Sequence, residues 1–228
     1  MDIITTEASL IRLLQLSSVS LPVGGYSFSQ GMEYAIDCGW LRRQEQVYDW
    51  LEMQLLHSVA QVDLPLLQLL MEAAERQDQK EIYRLNDLAL ACRETKELRL
   101  TDTAMGEALV RLLNSLEVPQ PFAHGPRAED VSFVSLFAIA AVYWGISTKT
   151  AKLGFSWAWL ENQVAAATKL VPLGQTQSQI LLGQLQPVIS EAIKAADQVE
   201  EDQIGAGLPA LAIASALHEQ QYSRLFRS

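Results

Sequence analysis

The residues of this 228-residue chain best suited to metal binding or nucleophilic attack are three histidines and two cysteines. His57, His124, His218, Cys38 and Cys92 lie far apart in sequence and form no HExxH, no paired cysteines and no His/Cys cluster. A site assembled across the fold from Cys38, Cys92 and a distant histidine stays open at this level. The scatter nevertheless predicts a protein that holds no stoichiometric nickel or zinc when isolated. There is no GxSxG nucleophile turn and no GxxxxGKS or GxxxxGKT phosphate loop. Two pairs of side chains offer a weaker route to a small hydrolase or transferase: Tyr26 with Glu33, and Arg93 with Glu94. Adjacent residues on a helix do not face each other, whereas Arg93 and Glu97 have the spacing of an i,i+4 ion pair. The bland reading of that segment is a solvated, salt-bridged helix face. These residues thus predict no catalytic side chain and no cofactor.

The most irregular sequence is "LPVGGYSFSQGMEYA", residues 21–35. Pro22 fixes one backbone angle, Gly24 and Gly25 permit positive φ, and Ser27 or Ser29 is placed to cap the next helix. Gly24-Gly25 reads first as a tight turn, with an anion-binding nest as the alternative. A loop of this kind pins the N-terminal helix against its neighbour, or displays Tyr26 and Phe28 to a partner.

Composition narrows the field. Hydrophobic residues at 49% and charged residues at 19% exclude a mainly disordered chain. The net charge of −10 argues against nucleic acid and against anionic membrane as general partners. The longest uncharged run, Val131 to Thr148, contains Ser, Thr, Tyr and Gly, which favours a buried core helix over a membrane span. Met1-Asp2 lacks the basic start of a signal peptide, so a cytoplasmic protein with free, buried thiols is expected.

The elements that must position these residues are helical. Apolar spacing of three and four recurs almost throughout, and sustained alternation does not. Val47, Trp50, Leu51, Leu55 and Val59 form one such stripe; Ile82, Leu85, Leu88 and Ala89 form another, behind an Asp78/Glu81 capping box. Asp63 before Leu64-Pro65 reads as an N-cap with proline in the first turn. Helical patterns are expected at 94–115, 131–146, 148–171, 175–196 and 209–222, with Pro187 kinking or breaking the fourth of these. "EVPQPFAHGPRAED", 117–130, is a loop near the middle, and Pro172 with Gly174 marks a turn. No compositional shift accompanies the central loop. The expectation is all-α: a single-domain bundle of about nine or ten helices over 1–228, with a flexible tail at 222–228.

Four segments carry a resemblance. "LPVGGYSFSQGMEYA" resembles the signature of the urease accessory protein UreF family. "CRETKELRLTDTAMGEALVRL" (92–112) is similar to that family's Arg-Glu-Thr helix with its later Met-Gly, "KLVPLGQTQSQILL" (169–182) to its Lys-x-x-Pro-Leu-Gly-Gln segment, and "YSRLFRS" (222–228) to its Arg-Leu-Phe-x-Ser ending. They occur in order and span almost the whole chain. Departures are local: Gly25 where many members carry a bulkier residue, Lys96 for a common Arg, and Ser178 for a common Gly.

The resemblance implies an all-α homodimer without enzyme activity that helps load nickel into urease. It implies binding to UreD (also called UreH), recruitment of the GTPase UreG, docking on apo-urease, and coupling of GTP hydrolysis to metal delivery. Partner contacts are expected from Tyr26, Ser27, Gln30, Glu33, Arg93, Glu94, Lys169, Gln175, Tyr222, Arg224, Leu225, Phe226 and Arg227. An arginine finger from Arg93, Arg99, Arg127, Arg224 or Arg227 is a further reading, ranked below scaffolding. In the tail, Leu225 and Phe226 are apolar and flanked by arginines, a composition suited to an interface; the alternative is a tail packed on its own domain.

Overall fold

The computed structural model describes residues 6–122, 130–171, 173–205 and 207–228. His124 and Arg127 in the central loop, and Pro172 in the later turn, lie outside the described residues. Among these residues the chain is all-α, with no strand. The helices are α1 (Glu7–Leu16), α2 (Met32–Asp37), α3 (Gln44–Gln54), α4 (Leu64–Glu75), α5 (Gln79–Ala91), α6 (Lys96–Ser115), α7 (Phe133–Tyr143), α8 (Thr148–Leu170), α9 (Gln175–Ala196) and α10 (Pro209–His218).

At the centre is α7, "FVSLFAIAAVY". Every residue from Phe133 to Ala141 is buried, so this apolar run is a core helix covered on all sides. It packs against α4 and α6, and α8 packs against α9 around it. Among the described residues no helix is long and apolar enough to cross a membrane. Close approach of α6 to the start of α7 depends on Gly106. A Cβ there would stand 1.9 Å from the Val131 carbonyl oxygen.

Several boundaries follow from caps. Thr6, Asp78, Thr95 and Ser147 each accept a main-chain N–H from the first turn of the helix they precede. Thr95 therefore starts α6, and Arg93-Glu94 belong to the turn before it rather than to a helix face. Asp63 departs from the expectation. It makes no cap, because α3 and α4 are one continuous rod joined by a π-helical segment, Leu55–Asp63. The Leu64 N–H donates to the Val59 carbonyl, five residues back. Asp63 is thus already helical, and its carboxylate is free to turn to a distant partner.

The proline at 187 does not break α9, which runs unbroken from Gln175 to Ala196. Its ring removes only the bond to Gly183, and both residues sit on the solvent face, so the freed carbonyl is open to water and is not stranded in the core. The thiols also differ from expectation: Cys38 is exposed and Cys92 half-buried.

Candidate functional site: the closed tail

The 21–31 loop is built from two positive-φ glycines. Gly24 (φ 73°) opens a short 3₁₀ turn at Gly25–Ser27, and Gly31 (φ 81°) precedes α2. Ser27 closes the turn by donating its hydroxyl to the Gly24 carbonyl, 2.6 Å away. Gly31 lies against α10: a Cβ there would come within 2.9 Å of the Ser215 main-chain nitrogen. The loop therefore presents α2 to α10, and Glu33, in the first turn of α2, is buried between them. Phe28 is buried, not displayed; Tyr26 is half exposed.

The last turn of α10 brings His218 into the same place. Its Nδ1 is 2.8 Å from Glu97 Oε2, at the start of α6, and its Nε2 is 3.0 Å from Glu33 Oε2. All three side chains are shielded from solvent. The chain then folds back over them. The main-chain N–H groups of Leu225 and Phe226 donate to the two carboxylate oxygens of Glu33, at 2.7 and 2.9 Å. Arg224 Nη1 donates to Glu97 Oε1 at 2.9 Å. Ser29 and Gln30 donate their N–H groups to the Ser228 main-chain oxygen, and Arg227 donates to the Ser27 carbonyl. The hydroxyls of Ser228 and Thr101 are also hydrogen-bonded.

The expected flexible tail is therefore, in this structure, a strap closed onto its own domain. The physical reason is its content of fixed partners: two N–H groups for a buried carboxylate, a guanidinium for a second, and a phenyl ring that is 5% exposed. Lys169, in the last turn of α8, stands over both the Phe226 ring (5.6 Å) and the Tyr26 ring (5.7 Å). Arg227 stands over Phe28 at 5.5 Å. Gln30 accepts from Trp159 Nε1 at 3.1 Å. Tyr222 and Leu225 project into solvent, the latter 75% exposed.

Residues separated by up to two hundred positions thus form one surface: Tyr26, Ser27, Gln30, Glu33, Lys169, Arg224, Leu225, Phe226 and Arg227. The other expected residues lie elsewhere. Gln175 is exposed at the start of α9. Glu94 is exposed and accepts from the Leu208 N–H at 3.3 Å. Arg93 makes no pair with Glu97. It is half-buried and held between Asp63 (Nη2 to Oδ1, 2.6 Å) and Asp102 (Nε to Oδ2, 2.9 Å). Asp102 also accepts from the Ser132 hydroxyl and the Phe133 N–H. Burial alone would lower the Arg93 pKa, but the charges and hydrogen bonds of Asp102 and Asp63 prevail and hold it above the ordinary arginine value. This ion cluster ties the π-helical rod to α6 and α7, and it takes Arg93 away from any role as a finger.

Neither suggested catalytic pair is assembled. Glu33 is saturated by His218 and two main-chain donors, the Tyr26 ring meets Lys169, and Arg93 and Glu94 diverge to different partners. Among the described residues no group of three His, Cys, Asp or Glu side chains is set to hold a metal ion. Glu33 and Glu97 approach His218 from opposite edges of its ring, so their oxygens share no point with a ring nitrogen left open.

Sequence reasoning gave His218, Glu97 and Ser29 other roles, as a scattered metal candidate, a partner for Arg93 and a helix cap, and did not single out Thr101. A signal existed for His218. Leu211 and Ala214 define the inner face of α10, and a step of four reaches residue 218 rather than Leu217, which is 38% exposed. A histidine on a buried face requires polar partners.

The UreF family model matches residues 41–186. The chain is 63% identical over 227 residues to the urease accessory protein UreF of Marinomonas sp. (strain MWYL1), covering 100% of this chain and 97% of that protein. It is 47% identical over 219 residues to the protein of the same name from Alkalilimnicola ehrlichii, with 95% of each covered. The Hahella chejuensis protein of that name is 43% identical over 222 residues, covering 96% of this chain and 98% of that one. The chain belongs to the UreF family of urease accessory proteins.

Proposed function

We propose that this protein is a urease maturation factor that acts without chemistry of its own. In this reading it is a cytoplasmic homodimeric scaffold. With UreD it recruits the GTPase UreG to apo-urease, and GTP hydrolysis is thereby coupled to insertion of nickel, which is cargo and not a resident cofactor. The observation that carries the reading is the surface built by the 26–33 loop, Lys169 and the closed tail. It gathers most of the residues that the family signature singles out, and their polar groups are spent on holding one another in shape. That is the organisation of a docking face rather than of an active site, in which a reactive group stays open to substrate.

Leu225 stands out on this face, and Tyr222 projects into solvent three residues before it in the same tail. An apolar side chain left in water forgoes roughly 1.5–3 kcal/mol relative to burial, which a partner such as UreD would recover. Replacing both by alanine removes no hydrogen bond of the strap, because only the main chain of Leu225 takes part. The double variant should keep its helix content and its dimer, measured by circular dichroism and sizing, and should lose capture by UreD in a pull-down. Undiminished capture would overturn docking at this face.

A further inference from the structure

The buried position of His218 raises a question of charge. Each ring nitrogen faces a carboxylate oxygen, at 2.8 Å for Glu97 and 3.0 Å for Glu33. An ionised carboxylate only accepts, and a neutral imidazole donates from one nitrogen only. One of the two contacts would then set a lone pair against an anion. A proton on either carboxyl group would relieve this, but the other contacts oppose it. Glu33 already accepts from two main-chain N–H groups, one on each oxygen, and Glu97 accepts from the Arg224 guanidinium. Such donors stabilise the ionised form.

The geometry points to His218 as a buried imidazolium, protonated on both ring nitrogens, and to that charge as the device that positions the docking face. The charged groups facing it are Glu33 from α2, Glu97 from α6 and Arg224 from the strap. Lys169 of α8 stands further out, over Phe226. With His218 charged, two cations balance two anions. With His218 neutral, the cluster carries an uncompensated negative charge where solvent does not reach it. Glu33 is then repelled from its place, and with it go the acceptors for the Leu225 and Phe226 N–H groups. His218 thus positions the strap through Glu33 without touching it. This inference rests on the reading of the strap as a docking face only for its consequence; the charge state itself is a property of the free chain.

The test uses the full chain alone, then with its partner. In a sample of the parent chain labelled with nitrogen-15 and carbon-13 at neutral pH, both His218 ring nitrogens should show imidazolium shifts, the signal being assigned through bonds from the His218 backbone. A pyridine-type nitrogen on His218 would overturn the proposal. Amide hydrogen exchange at Leu225 and Phe226 should then quicken at least tenfold in His218→Gln. It should return most of the way in Glu97→Gln/His218→Gln, which restores charge balance and leaves Glu33 intact. A histidine needed only for its shape would leave both variants equally loose, and that result would also overturn the proposal. The ring measurement needs no variant to fold. Finally, capture of UreD should fall in His218→Gln and recover in the double variant. Unchanged capture by a chain with a loosened strap would overturn the docking reading while the exchange data still support the imidazolium.

Discussion

Replacing Arg93 by methionine removes the cation between Asp63 and Asp102 and leaves a side chain of comparable length. All three groups are largely shielded, with side-chain exposures of 15% for Arg93, 9% for Asp63 and 7% for Asp102. Asp102 keeps the Ser132 hydroxyl and the Phe133 N–H as donors, whereas Asp63 loses the guanidinium that holds it. Breaking a buried ion pair by removing one partner costs about 3–5 kcal/mol, because the carboxylates stay behind. For a chain of this size each 1 kcal/mol lowers the melting temperature by about 2–4 °C, so a fall of roughly 6–20 °C is expected. Thermal unfolding followed by circular dichroism measures it. If the loss comes from stranded charge, the triple variant Asp63→Asn/Arg93→Met/Asp102→Asn should be more stable than Arg93→Met alone, since neutral groups no longer repel. A melting temperature within about 2 °C of the parent for Arg93→Met would refute the reasoning, given that conversion. So would a triple variant no better than the single one.

Gly106→Ala should destabilise by at least the roughly 1–3 kcal/mol of overpacking, because the new Cβ would meet backbone and not a movable side chain; denaturant unfolding should show a lower midpoint with little change in slope. The two thiols should separate in alkylation at neutral pH, with exposed Cys38 reacting first. Burial raises the Cys92 pKa, the Arg93 charge lowers it and Asp63 raises it, with a net upward shift. Its native-state pKa therefore lies above the unfolded value, and its contribution to stability is full below the unfolded thiol pKa near 8.5 and declines as pH rises beyond it. Mass spectrometry of a timed alkylation at pH 7 and pH 9 checks both points, and equal rates at pH 7 would contradict them.

The parts of the fold that were legible are those where a local pattern has no distant competitor. The stripe of Val47 and Leu51 faces inward, as does that of Ile82, Leu85 and Ala89, and Asp78 caps α5 through the Glu81 N–H. Where a distant partner bids for the same atom, the local rule fails. Asp63 has the form of an N-cap, but the helix runs through it and leaves no first-turn N–H waiting for a cap, so its carboxylate turns to a guanidinium thirty residues away. Arg93 has the spacing to reach Glu97, but Thr95 ends the turn between them, and Glu97 belongs to His218 and Arg224. Of the site, the family signature marked the loop and the tail as separate surface features. Their mutual contact spans 199 positions at Ser29 and Ser228, a distance over which no periodicity carries information. Leu225 and Phe226 looked equivalent as sequence. One is in solvent and the other is buried, because the strap bends at these two residues and turns only the second one inward.

The π-helical stretch at Leu55–Asp63 has a consequence for how this rod tolerates change in length. An α-helix turns about 100° per residue, so losing one residue from its interior rotates everything beyond it off its packing partners. A π-helical stretch already contains residue in excess of what an α-helix needs to span the same rise and rotation. Deleting one residue between 55 and 63 lets that stretch relax to α geometry while the Val47–Leu51 face and the Leu66–Leu70 face keep their phase. The rod thus has one internal zone where a single-residue deletion, and by the same logic its past insertion, is absorbed locally. A single-residue deletion in α3 or α4 on either side has no such excess to draw on and would rotate the rest of the rod off its partners.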